Sequence, residues 1–519
     1  MEATTFGVVV TTIVVAASVT WVAKLLNTLW FHPRKLEKLL RQQGFIGNPY
    51  RLLLGDMKDY IKAVKEEQPR SIPLSDQIMP HVFAYEHRII SKYGPNSFYW
   101  LGPSPRLNIT DPELIKDIVR RTGEFEKPSP ETGKILTGGG ILFQEGQKWV
   151  KRRKIVNHAF HLDKLKNMVP TMGLSCSHMI QKLKGAVANS SNRSRCEIDM
   201  WAYLKDLTGD VISRTAFGNS YEEAKRVFQL QNDRVELVLQ LLHFSYVPGW
   251  RYLPTKLNRK VKRLTSEIKT VLRGVIENRA KAMERGDEIP KDDLLSILME
   301  ANTRFTEEDG NENEGMSIED VIEECQLFYF AGSETVASLL AWTILMLCTH
   351  PEWQTQARAE ITRVFGQSEP TPQGLNHLKT VTMILQEVLR MYPPAPVIFR
   401  SPKESVKIGS LTIPAGVQLA MMIGLVHYDP RIWGDDAKEF KPQRFAQGVS
   451  NQASLIPFSS GPRICIGHNF AMTEAKIVIA MLLQHFSFEL SPSYKHAPFA
   501  ILNLQPQYGA PIILRHLHQ

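Results

Sequence analysis

From Phe6 to Ala23 no charge interrupts a run rich in Val, Ala and Thr, and apolar character resumes beyond Lys24 through Leu25, Leu26, Leu29 and Trp30. A helix of that length and character spans a bilayer. A cleaved signal peptide is the competing reading, but no basic segment precedes the run and no clear A-x-A site follows it. The pattern therefore predicts an uncleaved anchor. Lys24, Arg34, Lys35, Lys38 and Arg41 lie on its C-terminal side, against Glu2 on the other, which places the bulk of the chain in the cytosol. The sequons at Asn108, Asn189 and Asn192 would then stay unmodified.

Past the anchor the period changes. Phe98 to Ile109 reads as two short strands around a turn at Gly102, Pro103 and Pro105, and helical periodicity follows from Pro112. Gly123 to Gly146 reads as an irregular loop with Gly138-Gly139-Gly140 followed by apolar Ile141, Leu142 and Phe143. A connection this long inside a compact domain is more often functional than not. Met168 to Ala301 is amphipathic helix, broken at Tyr246 to Pro254 by Pro248, Gly249, Trp250 and Pro254. Asn302 to Gly315, rich in Glu, Asn and Gly, reads as a mobile surface loop.

Ser317 opens the longest helix, with Ser317 and Asp320 fitting a capping box and Pro351 stopping the run. Leu327 to Leu347 is apolar nearly all round, so this helix is buried. Inside it lies Ala331-Gly332-Ser333-Glu334-Thr335-Val336, where burying a hydroxyl and a carboxylate costs several kcal/mol unless they are paired. Gly332 permits a local break in the hydrogen-bond ladder and a groove beside Thr335. A purely structural kink is the alternative.

Composition narrows the classes. The chain has 519 residues and no Gly/Ser linker, repeat or low-complexity tract after its N-terminus, which predicts an anchor over residues 1–30 and one two-lobed domain over 31–519. A net charge of +9 suits nucleic acid, an anionic membrane or an acidic protein. No aromatic-interleaved basic cluster or zinc-finger spacing appears, which argues against nucleic acid. The five cysteines, Cys176, Cys196, Cys325, Cys348 and Cys465, form no CxxC pair and point to a reduced compartment.

Chemistry concentrates at Phe458-Ser459-Ser460-Gly461-Pro462-Arg463-Ile464-Cys465-Ile466-Gly467, just before a helical pattern through Phe470, Ile477 and Leu483. Glycines allow a tight loop whose amides approach a sulfur, and the helix N-terminus favours a thiolate there. Phe458, Gly461, Arg463, Cys465 and Gly467 resemble, in all five fixed positions, the F-x-x-G-x-R-x-C-x-G haem signature of the cytochrome P-450 superfamily. The resemblance implies a mainly helical fold with a smaller β lobe, haem b with Cys465 as axial ligand to iron, and Arg463 on a propionate. It extends to four other stretches. Trp149 and Arg153 resemble the W-x-x-x-R pair that holds propionates, and Arg400 is a further propionate candidate. Lys148, Lys151 and Arg152, which taken alone read as a solvated basic face, resemble the docking site for an NADPH-dependent reductase. Glu334 and Thr335 resemble the acid–alcohol pair of the (A/G)-G-x-(D/E)-T-(T/S) motif, with proton delivery as the implied role, although Val336 departs from its last position. Glu387 and Arg390, with Arg444 in Phe440-Lys441-Pro442-Gln443-Arg444-Phe445, resemble the Glu-Arg-Arg structural lock.

The activity implied is monooxygenation: dioxygen activated at thiolate-ligated iron, with electrons from NADPH, oxidises an unactivated C–H bond. The anchor and the resemblance together imply a single-pass protein of the endoplasmic reticulum facing the cytosol. Asn48-Pro49-Tyr50-Arg51 through Gly55-Asp56, Val247 to Lys256, and Asp320 to Cys325 resemble the plant family that contains secologanin synthase and 7-deoxyloganic acid hydroxylase. A lipophilic terpenoid or steroid substrate follows, a triterpenoid or steroidal saponin precursor being favoured over an iridoid, gibberellin or brassinosteroid. Phe143, Val397, Ile398 and Ile501 are pocket candidates that equally suit an ordinary core. Two other classes compete: a reductase-independent haem isomerase or dehydratase, and a non-enzymatic haem-binding sensor. The retained Glu334-Thr335 pair weighs against both.

Overall fold

At the centre of the computed structural model lies the helix Ile318–Thr349, capped as its sequence requires: Ser317 accepts from the Asp320 amide while the Asp320 carboxylate accepts from the Ser317 amide. The structure describes residues 2–128, 131–190, 195–218, 221–241, 250–287, 293–309, 315–447, 454–500 and 503–517. Around the long helix pack Met200–Phe217, Lys379–Met391 and His468–His485, helices whose apolar faces merge with it into one core. Gly332 makes the closest of these approaches possible, since a Cβ there would sit 3.1 Å from Ile212 Cδ1. The helix is unbroken through Gly332, so the expected break in its ladder is absent. The glycine serves helix packing instead.

The smaller lobe is a six-stranded mixed sheet in the order Ile46–Gly47, Ser97–Leu101, Ser104–Ile109, Gln418–Met421, Ile398–Pro402, Phe125–Glu126. Phe98 to Ile109 forms the expected antiparallel pair. One further expectation needs correction. Leu294–Asp309 is one helix, which takes in the first half of the stretch read as a loop over 302–315. Near the C-terminus Pro498–Ala500 and Leu504–Pro506 pair as a hairpin. Ile501 and Leu502 lie outside the described residues, as do Asn192 and Tyr246 to Gly249.

At the N-terminus the helix Glu2–Leu26, exposed over nearly all of its length from Thr11 onward, runs through a π turn, Asn27–Phe31, into His32–Gln42, whose Pro33, Leu36 and Leu40 are buried, the two leucines among the core of the sheet lobe. Residue 30 therefore falls in the π turn. The stretch 123–146 is less irregular than its glycines suggest: it holds the short helices Glu131–Thr137 and Gly140–Phe143. Gly138, Gly139 and Gly140 all have positive φ, and a Cβ on Gly138 would lie 2.7 Å from the Gln326 side chain. Only glycine lets this segment lie flat on the long helix.

A buried polar tie fastens that contact. Glu324 accepts from the Ile141 amide at 3.0 Å and from Arg152 Nη1 at 3.3 Å, while Arg152 also pairs with Asp320 and Glu323. Arg152 is therefore buried and neutralised by the acidic first turns of the long helix, and it does not belong to an exposed docking face. Its neighbours differ: Lys148 is exposed and Lys151 half-buried.

The Glu-Arg-Arg cluster is assembled at the far end of the core. Arg390 grips Glu387 with two bonds of 2.8 Å, both side chains wholly buried, and Arg444 Nε reaches Glu387 Oε1 at 3.3 Å. Arg390 Nη1 also donates to the carbonyls of His427 and Ala437, so the pair organises the segment leading to the cysteine loop. Losing one partner of such a pair leaves a buried charge uncompensated, so Glu387→Gln should cost about 3–5 kcal/mol. A fall in the urea midpoint of that variant checks this, and an unchanged midpoint contradicts it.

Burial raises the Glu324 carboxyl to about 7, against the lowering by the Ile141 amide and Arg152. A carboxyl with a raised folded pKa binds more protons folded than unfolded, so stability falls as pH climbs from its ordinary 4.5 to about 7. Glu324→Gln removes that titration. The stability of the wild type relative to this variant should fall with pH across the window and level off above it, read from urea titrations. A difference that rises with pH would mean that the Arg152 attraction outweighs burial.

Candidate haem-thiolate site

Two features make up the candidate site, one built on the cysteine loop and one on the long helix. In the loop, Ser459 and Gly461 adopt positive φ, and a short 3-10 turn, Gly461–Arg463, turns the chain so that the Cys465 amide donates to Phe458 O at 2.9 Å. A Cβ on Gly461 would stand 3.1 Å from Val119 O. The helix His468–His485 starts directly afterwards. Cys465 has an exposed face, yet surrounding protein pushes its thiol up, opposed by the Gly467 amide, Lys127 and Arg153.

Cations gather beside this sulfur. Arg463 is buried, lies 4.4 Å from the Trp149 ring centroid, and donates to Gln144 O at 3.0 Å and to the Glu145 carboxylate. Its Nε and Nη1 have no partner. Arg400 is 1 % exposed, spends Nη1 on Phe399 O at 2.8 Å, and leaves Nε and Nη2 without partners. Burial, then the nearby Arg463, pulls Arg400 down to about 10. Arg153 is half-buried; burial lowers it and Cys465 raises it, so the expected face of Trp149 and Arg153 turns towards the loop.

Lys127 completes the cluster and was not visible as a site residue in the sequence. Burial lowers it to about 7, helped by Arg400 and Arg463 and opposed by Glu145 and Cys465. It arrives there because Phe125–Glu126 pairs with Ser401–Pro402, next to Arg400. Glu145 binds both the Lys127 amide, at 2.9 Å, and Arg463, tying three segments together. Around Glu145 gather Lys127, Arg400 and Arg463, with Glu126 acting more weakly on Arg463, while Arg153 stands beside Cys465. Buried guanidinium N–H groups without acceptors are costly, and a ligand carrying two carboxylates beside a sulfur-bound metal satisfies them. The residues present fit haem.

The middle of the long helix, from Glu324 to Leu347, is buried except at Ala331, which is exposed, and at Phe330, Gly332 and Thr335, which are half-buried. Thr335 Oγ1 donates to Ala331 O at 2.7 Å. Glu334, one residue away and 8 % exposed, turns aside to pair with Lys205 Nζ at 3.0 Å. Its carbonyl accepts from Ser338 Oγ and from Asn503 Nδ2, and Asn503 also donates to Ser338. Lys205 and Asn503 are contacts the sequence pattern did not reveal. Phe143, Val397 and Ile398 are half-buried.

Comparison with known proteins agrees with this geometry. The family model for Cytochrome P450 matches residues 75–508. The chain is 49 % identical to Cytochrome P450 CYP72A219 of Panax ginseng over 97 % of each chain. It is 48 % identical to Cytochrome P450 72A397 of Kalopanax septemlobus, covering 98 % of this chain and 100 % of that one. It is also 47 % identical to 11-oxo-beta-amyrin 30-oxidase of Glycyrrhiza uralensis over 98 % of each. With the family model and these near full-length relatives in agreement, the chain belongs to the plant cytochrome P450 family.

Proposed function

We propose that this cytochrome P450 oxidises an unactivated C–H bond of a lipophilic terpenoid, with a triterpenoid skeleton favoured, as a membrane-anchored enzyme of the endoplasmic reticulum. The observation that carries the haem reading is the pair of buried arginines, Arg400 and Arg463, whose free N–H groups lie with Lys127 and Arg153 beside Cys465. The relative whose name records oxidation of 11-oxo-beta-amyrin supports the skeleton. Bound haem iron supplies the activation of dioxygen that such an oxidation needs.

The chain's own residues divide the remaining work. Cys465 provides the axial thiolate, with the Gly467 amide, Lys127 and Arg153 favouring its charge. Trp149 keeps Arg463 in place for a propionate, and Glu145 holds that arginine from the other side. Thr335 presents a hydroxyl where the helix is open, and Glu334 stands next to it as a carboxylate in contact with Lys205, one-third exposed at its side chain. Proton delivery from solvent through Glu334 to the Thr335 hydroxyl follows from that order. Phe143, Val397 and Ile398 supply apolar contacts for a substrate. Electrons arrive from NADPH through a reductase, for which Lys148 and Lys151 offer basic groups on the face that leaves out Arg152. The exposed apolar helix Thr11–Gln42 is long enough to hold the enzyme on a membrane.

The reduced, carbon-monoxide difference spectrum of the membrane-bound protein, followed by a screen for low-spin to high-spin shifts, tests this reading. A thiolate-type Soret band with a spin shift for pentacyclic triterpenoids, and none for iridoids, gibberellins or brassinosteroids, is the expected result. A folded, haem-loaded protein without that band would remove Cys465 as ligand, and a shift confined to another class would move the substrate.

Thr335→Ala tests the other feature of the site. The variant should retain the thiolate-type band and consume NADPH, but lose tenfold or more of product per NADPH, about the scale of one positioned proton donor. Product yield per NADPH equal to that of the wild type would take Thr335 out of proton delivery.

A further inference from the structure

Between the Glu387–Arg390 pair and the cysteine loop lies His427, wholly buried at the end of the short helix Ile423–His427. It meets Arg390 twice. Arg390 Nη1 donates to the His427 carbonyl at 2.8 Å, and the His427 ring places Nδ1 3.1 Å from the Arg390 carbonyl. The other ring nitrogen, Nε2, lies 3.2 Å from the Ile456 amide nitrogen. A carbonyl accepts and an amide N–H donates, so these two partners fix one neutral tautomer, with the proton on Nδ1 and the lone pair on Nε2. Burial, then the Arg390 charge, press the ring down to about 3 against the Arg390 carbonyl, which leaves that lone pair to Ile456 throughout the neutral range.

Ile456 opens the cysteine loop. It is buried, its carbonyl accepts from the Ser459 amide at 3.0 Å, and Ser459 holds a positive φ of 64°. A non-glycine residue keeps such a backbone only where its surroundings hold it. Phe458, between the two, accepts from the Cys465 amide at 2.9 Å. The run of hydrogen bonds from Arg390 towards Cys465 thus passes through the His427 ring. Trp433 stands edge-on to that ring, at 6.4 Å and 85°, and its carbonyl accepts from Arg444 Nη1 at 3.1 Å, so the second arginine of the cluster steadies the same side chain. A leucine or phenylalanine would fill this buried space without ring nitrogens to satisfy. Here both nitrogens are satisfied, one by each part of the structure.

We propose that His427 is a positioning residue through which the Glu387–Arg390–Arg444 cluster sets the entrance of the cysteine loop, its bond to Ile456 keeping Cys465 in place as an axial thiolate; this rests on the haem reading of that cysteine. One acceptor couples the cluster to the loop.

Two substitutions separate the two bonds, because the side-chain amide of Asn reproduces the Nδ1 position of histidine and that of Gln the Nε2 position. His427→Asn keeps the Arg390 carbonyl paired and leaves the Ile456 amide without an acceptor. His427→Gln does the reverse. Haem-loaded full chains are compared by the decay of the thiolate-type carbon-monoxide band in mild urea, by the urea midpoint, and by hydrogen exchange of the segment 454–467. His427→Asn should lose the band about fivefold faster than the wild type, the scale of one lost hydrogen bond, and should exchange faster in that segment. His427→Gln should keep the band and the exchange of the wild type although its urea midpoint falls. Band decay that follows the urea midpoint in both variants, as a purely structural side chain would give, overturns the role, as does faster decay in His427→Gln than in His427→Asn. Should His427→Asn load no haem, His427→Gln decides by itself: the wild-type band upholds the role and a lost band overturns it. A wild type without the thiolate-type band would strike the haem reading instead, and the exchange comparison would still decide the bond between His427 and Ile456.

Discussion

On the proposed reading, holding a charged sulfur at Cys465 is the constraint on which the rest of this architecture depends. Protein packed around the residue opposes ionisation, and what offsets it is positive potential: the Gly467 amide at the mouth of a helix, then Lys127 and Arg153. The same cations repel one another, which is why burial and Arg463 together depress Arg400, and burial, Arg400 and Arg463 depress Lys127. Such a cluster is unstable on its own. Glu145 neutralises part of it, the Trp149 ring supports Arg463 from one side, and the remaining N–H groups are left for an anionic ligand. Folding and cofactor loading are linked through this excess charge, because whatever satisfies those donors also stabilises the loop that carries the thiolate.

What was legible in the sequence is what depends on neighbours along the chain. The cysteine loop is read from residues within ten positions of one another, the Glu387–Arg390 pair from one helical turn, and the Ser317–Asp320 cap from three positions. Each motif fixes its own geometry, so each could be recognised before any fold was known. Long-range placement was not legible. Arg152 looks like its neighbours Lys148 and Lys151 until the first turns of the long helix bring Asp320, Glu323 and Glu324 against it. Lys127 becomes part of the site only through a two-residue strand pairing with Ser401–Pro402. Lys205 meets Glu334 only because Ile212, on the same helix as Lys205, packs onto Gly332. Gly332 shows the same limit from the other direction: a glycine inside a buried helix suits a break or a close approach equally well, and the choice belongs to the partner helix.

These long-range contacts share a feature. Arg152, Ile141 and the Gly138–Gly140 run all attach the segment 131–143 to the N-terminal half of the long helix, while Lys205 and Asn503 attach other elements to its middle. Contacts to a single rigid helix give every pocket wall a common reference. Glycine lets the 138–140 run lie against the helix, while Leu136 and Ile141 on either side of it are buried and the Glu324 carboxylate binds the Ile141 amide.

The N-terminal helix, a candidate membrane span, is joined to the domain by a similar logic. It does not join the domain through a flexible linker: Tyr50 Oη donates to Leu29 O at 2.7 Å, Arg34 lies 3.8 Å from the Trp30 ring centroid, and Leu36 and Leu40 are buried in the sheet lobe. Leu52, Leu53 and Leu54 are exposed directly beyond Tyr50, whose hydroxyl also accepts from the Leu53 amide at 3.3 Å. An apolar surface therefore runs from the exposed helix onto the domain across a joint held by hydrogen bonds. On the proposed anchoring, a helix clamped in this way limits the angles at which the domain can lie on a bilayer, because tilting it away would take those leucines out of contact with lipid and strain the Tyr50 bridge.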